Sequence, residues 1–132
     1  MIEDIYLGFS CDEPLEKIGG LAIMVGMMTL RESAFIVEYE IRDTVLGIVK
    51  TKPRRIEFKF NEIANCKYEK TWFKSNFHIK TNVFLSAKGF HNANGTDLSF
   101  QIKKKDATTA QEMAAAINAR IAENLMNKYD NM

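Results

Sequence analysis

The chain has 132 residues, 46% hydrophobic and 27% charged, the balance of one globular domain that buries a single core without staples. Its 18 Lys and Arg nearly cancel its 17 Asp and Glu, and a net charge of +1 gives no global field to gather nucleic acid. Cys11 and Cys66 are far apart, with no CxxC and no nearby His, so they read as thiols in a reducing compartment.

The start of the chain is acidic. Glu3, Asp4, Asp12, Glu13 and Glu16 face only Lys17, the reverse of a basic secretory leader. The longest uncharged run, Ile18–Leu30, holds 13 residues with Gly19, Gly20 and Gly26 inside it, too short for a spanning helix. A cytoplasmic location is the expectation.

Residues 1–19 form an N-terminal segment broken by Pro14, and the domain proper is placed at 20–132. Within the segment Ile5, Leu7 and Phe9 alternate, which suits an extra strand or a lid. The first predicted strand is Leu21–Leu30. Arg31–Ser33 then links it to Phe35–Asp43, where Phe35, Val37, Tyr39 and Ile41 oppose Glu38, Glu40 and Arg42. Thr44–Pro53 extends the hairpin or folds back as a loop, and Pro53 argues against a central strand there.

Ile56, Phe58 and Phe60 mark the third predicted strand, and Ile63–Lys70 the fourth, with Ala64, Cys66 and Tyr68 on one face. Phe77 and Ile79 mark the fifth; Val83, Leu85 and Ala87 mark the sixth. Asn94-Gly95 signals a hairpin before the seventh, in which Leu98, Phe100 and Ile102 point inward. From Asp106 the period changes to three and four. Ala110, Ala114, Ile117, Ile121 and Leu125 predict a helix on the core, with Thr109 and Glu112 placed as a capping box.

Seven strands followed by one helix is the order of the pleckstrin-homology-like fold. Four pieces carry a resemblance to the bacterial pleckstrin-homology (PH) domains: Gly20–Val25, Arg55–Ile63, Leu98–Lys104 and the Ala-rich helix from Ala107. The resemblance spans about residues 20–128. It implies a partly open seven-stranded barrel of two antiparallel sheets closed by the C-terminal helix. It also implies binding of proteins, peptides or phosphoinositides, or self-assembly. Two departures count against phosphoinositides: the predicted first link has Arg31 beside Glu32, with only Arg42 added by its strands, and the sole Trp, Trp72, lies between strands rather than in the helix.

The first predicted strand is apolar on both faces, so something must cover the second. A self-association or partner interface through Met24, Met28 and Leu30 is weighed evenly against cover by the N-terminal segment or the helix. Lys50, Lys52, Arg54 and Arg55 form the densest positive cluster, a solvated loop or a patch for an anionic partner, the latter stronger if Lys67, Lys70 and Lys74 come near. Trp72 and Phe73 either plug the barrel mouth, the commoner use, or anchor a membrane or partner contact. His78 and His91 have no ligand or triad spacing, so no metal, cofactor or catalytic set is predicted.

The leading expectation is therefore a non-enzymatic binding or assembly module, a homo-oligomer or a receptor for a protein or peptide, with no nucleic-acid partner. Peripheral binding to anionic lipid is the alternative. A ligand-holding or catalytic barrel is a third reading, disfavoured because nine Phe residues suggest a filled interior.

Overall fold

The computed structural model describes residues 3–11, 22–43, 52–73, 75–90 and 95–130. The strands are β1 (Ile5–Cys11), β2 (Ala22–Leu30), β3 (Phe35–Asp43), β4 (Arg54–Phe58), β5 (Ile63–Lys70), β6 (Ser75–Thr81) and β7 (Asp97–Gln101), followed by α1 (Ala107–Asp130). All pair antiparallel in one sheet of order β4-β3-β2-β1-β7-β6-β5. The ends of that order, β4 and β5, do not bond to each other, so the sheet stays partly open. The helix packs on it, mainly against β5.

The count of seven matches the expectation, but the membership differs. Ile5–Cys11, within the expected N-terminal segment, is a strand between β2 and β7. It also joins the two expected sheets into one. Val83, Leu85 and Ala87 form no strand; Leu85–Lys88 is a short 3-10 helix ended by Gly89 at φ 106°. The reason is that β6 already has β5 and β7 on its two edges, which leaves no place for another partner. The long connection instead folds inward. Phe90 stacks on Tyr39 at 5.5 Å and on Phe58 at 6.2 Å between ring centres, packing on the inner face of β3 and β4.

Period-2 alternation puts Leu7 and Phe9, then Met24, Met28 and Leu30, then Phe35, Val37, Tyr39 and Ile41 on the inner face. Met24 and Met28 are 0% exposed and Leu30 1%. These three side chains are core, and as they stand they offer no surface to a second chain. They lie in the one core cluster formed within the chain, with Leu7 and Val37 flanking Met28 in register on the same face. The second apolar face of β2 carries Met27, which remains 46% exposed.

Gly26 sits where β1, β2 and β3 come closest. A Cβ there would lie 2.0 Å from the Glu38 carbonyl oxygen and 2.9 Å from Phe9 Cζ. The Phe9 ring takes that space and meets Phe100 of β7 at 4.2 Å. The absent side chain thus lets one aromatic ring join the two halves of the core.

The helix buries Ala110, Met113, Ala114 and Ile117, while Leu125, expected in the same stripe, is exposed. It starts at Ala107, so Thr109 and Glu112 lie inside it and not at its cap. Two polar residues fix its seat. Asn118 donates from Nδ2 to the Cys66 carbonyl (2.8 Å) and accepts the Cys66 N–H (2.9 Å), doing for edge strand β5 what a neighbouring strand would do. Arg120, also buried, donates to the carbonyls of Arg31 (2.9 Å) and Glu32 (2.5 Å) and lies over the Phe60 ring.

Two stability measurements follow. Asn118→Ala strands both backbone groups of Cys66 and should lower unfolding free energy by about 1–3 kcal/mol in a urea titration. Gly26→Ala should cost about 3 kcal/mol or more, because its nearest obstacle is backbone that cannot step aside. Wild-type midpoints for either variant would refute the corresponding contact.

Candidate functional site

Strand polarity gathers chemistry at one end of the sheet. The register places Cys11, Met24, Ile41, Arg54, Gln101, Ser75 and Lys70 at that end. The β5–β6 link and the β7–α1 link both emerge there.

β5 and β6 are in register up to Lys70 opposite Ser75, so the link between them is tight and its side chains have no interior to enter. Trp72 and Phe73 are 83% and 84% exposed, with ring centres 6.4 Å apart in an edge-on arrangement. The reading of this pair as a barrel plug is corrected: Phe90 and the helix fill the interior, and the pair stands in solvent. The base of the tip is held by a hydrogen bond between the Tyr68 hydroxyl and Ser75 Oγ, and by the Ile102 N–H donated to the Ser75 carbonyl at 2.8 Å. Lys104 Nζ donates to the Trp72 carbonyl at 3.4 Å.

Other lysines lie at the same end of the sheet. Lys70 is exposed on β5, and Lys103, Lys104 and Lys105 are exposed in the β7–α1 link. Lys67 is engaged elsewhere: its ammonium lies 2.6 Å from Glu69, which holds that carboxyl below the usual carboxylate range. The second basic cluster is less coherent than the sequence suggests. Arg54 and Arg55 are successive strand residues and so point to opposite faces of β4, while Lys52 precedes the strand and Lys50 and Lys74 lie outside the described residues.

Beside this end a groove of about 570 Å³ crosses the outer face of β1, β2 and β3. Its floor includes Gly8, Val25 and Met27; Lys103 and Lys105 stand on one side and Glu38, Glu40 and Arg42 on the other. Arg42 is taken up by an ion pair with Glu40. Among the described residues no three His, Cys, Asp or Glu side chains group at metal-binding range. His78 lies 3.5 Å from Glu69 on an outer strand face, and His91 lies outside the described residues. Among the described residues no helix is long and apolar enough to cross a membrane.

At the opposite end, partial burial works to raise the pKa of Glu62. The Lys59 N–H and the Lys88 ammonium at 3.1 Å outweigh it and keep that carboxylate below its ordinary value. Burial alone pushes the Cys66 thiol from 9.0 up to about 12, so it is a packing group and not a nucleophile.

Sequence reading missed three contributors: the Asn118 clamp, Arg120, and the lysines at the tip's base as partners of Trp72. Arg120 follows Met113 and Ile117 at helical spacing, which is a signal for a core-facing position. Nothing local links Lys104 to Trp72 across 32 residues. Comparison with protein-family models, with curated proteins and with solved structures finds no match.

A buried neutral thiol has a testable pH signature. Unfolded Cys66 ionises near 9.0 and the folded thiol only near about 12, so the unfolded state binds fewer protons between them and stability falls as pH rises. In that window wild type should lose up to about 1.4 kcal/mol per pH unit relative to Cys66→Ala. Parallel pH curves for the two proteins would show that the thiol is not buried.

Proposed function

We propose that this chain is a non-enzymatic docking module that seats on an anionic membrane surface through the Trp72–Phe73 end. The observation that carries this reading is an unburied Trp and Phe side by side on a hairpin tip. Water disfavours such a pair, and burying each ring recovers about 1.5–3 kcal/mol. Trp is at home at the headgroup level of a bilayer, with its ring in the apolar boundary and its N–H wet.

Charge supplies the second half. Lys104 reaches the tip, and exposed Lys70, Lys103 and Lys105 lie at the same end of the sheet; a lysine near an anionic leaflet contributes about 1 kcal/mol. An apolar anchor with a polybasic surround is the two-signal arrangement that makes peripheral binding stable yet reversible. Strand polarity brings Lys52 and Arg54 to the same end. The PH-like resemblance of the sequence suits a binding role, and the location would be the cytoplasmic leaflet, where anionic lipid and reduced thiols coincide. Self-association through Met24, Met28 and Leu30 loses its surface, since all three are core.

Trp72 is the only tryptophan, so intrinsic fluorescence reports the tip alone. Phosphatidylserine vesicles should shift its emission to the blue at low salt, and phosphatidylcholine vesicles should not. High salt should reverse the shift. Phe73→Ala, or Lys103 and Lys104 both changed to Glu, should weaken binding while leaving circular dichroism unchanged. Emission indifferent to lipid charge would overturn the proposal.

A further inference from the structure

The two open edges of the sheet are treated differently. The β5 edge is closed at Cys66 by the Asn118 amide. On β4, among the described residues, the backbone of Arg55–Phe58 bonds only toward β3. An edge of this kind is a template for another strand.

We infer that β4 pairs antiparallel with β4 of a second copy, centred on Ile56. That register sets Arg55 opposite Glu57 of the second copy and Glu57 opposite its Arg55, with Ile56 facing Ile56. Arg55 and Glu57 are exposed on the same outer face, so the pairing forms two cross-strand ion pairs related by symmetry. The register is selective. A slip of two residues one way opposes Arg55 to Arg55, and the other way Glu57 to Glu57, and like charges directly opposed repel. A slip of one residue turns the apolar face of one copy onto the polar face of the other.

The matching parity also works for the backbone. With Ile56 at the centre, Arg55 pairs with Glu57 and Ile56 with itself, an even separation, so outward-facing N–H and C=O groups meet outward-facing ones. The symmetry axis stands perpendicular to the sheet and reverses strand direction. The two Trp72–Phe73 tips then point to opposite ends, so this dimer neither requires nor assists docking of both tips on one bilayer.

Light scattering on a size-exclusion column, over a range of protein concentrations, tests it. Wild type should show a dimer. Arg55→Glu opposes Glu to Glu twice and Glu57→Arg opposes Arg to Arg twice; each should weaken self-association roughly tenfold or more. Mixing the two variants restores opposite charges at both pairs and should restore a dimer containing one of each. A wild type that stays at 15.1 kDa throughout overturns the inference. So do single variants that dimerise as well as wild type with unchanged circular dichroism, or a mixture that stays monomeric. Vesicle binding is read separately, so failure of either idea leaves the other standing.

Discussion

The sheet depends on β1 being central. Ile5–Cys11 bonds to β2 along its whole length and to β7 at Ser10, and in the strand order it stands between β2-β3-β4 and β7-β6-β5. Its Phe9 ring makes the join a packed one, lying over Gly26 on one side and against Phe100 on the other. Any side chain at position 26 removes the space that this ring occupies.

Closure is a separate problem from continuity, and polar groups handle much of it. A sheet that does not meet itself leaves two edges and two openings. Leu85 and Phe90 fill one opening with apolar volume. The helix covers the other, and its position is set less by its apolar stripe than by Asn118 on the β5 backbone and Arg120 on the β2–β3 turn. Apolar packing tolerates small slides along a helix, whereas these bonds are lost within about an ångström. Buried polar contacts therefore specify the docking, and the apolar face drives it.

The filled interior explains where function can reside. Among the described residues, Phe90, the helix and the inner-face aromatics occupy the core, and the features described above that invite a partner are on the outside. The aromatic tip and its lysines lie where the β5–β6 and β7–α1 links emerge together. The outer groove lies beside them. A rigid sheet with its chemistry at one end suits recognition of a surface better than enclosure of a small molecule.

Alternation and period determined most of the architecture from the sequence alone. The inward residues of β3, β6 and β7 and the helical stripe from Ala110 to Ile117 are legible because side-chain direction is a local property of strand and helix. Tertiary structure decided the rest. Ile5, Leu7 and Phe9 alternate as clearly as Val83, Leu85 and Ala87, yet only the first set is a strand. Whether an alternating run pairs depends on a free edge at the right place, and that is settled by distant segments. The same holds for burial. Met24, Met28 and Leu30 read as an apolar face in need of cover, and only the assembled core, with residues of the other strands and the helix, supplies that cover within the chain. Trp72 and Phe73 read as a plug, and they are exposed because residues from the β6–β7 connection and the helix fill the core first. Local pattern tells which way a side chain points; what waits there is a property of the whole fold.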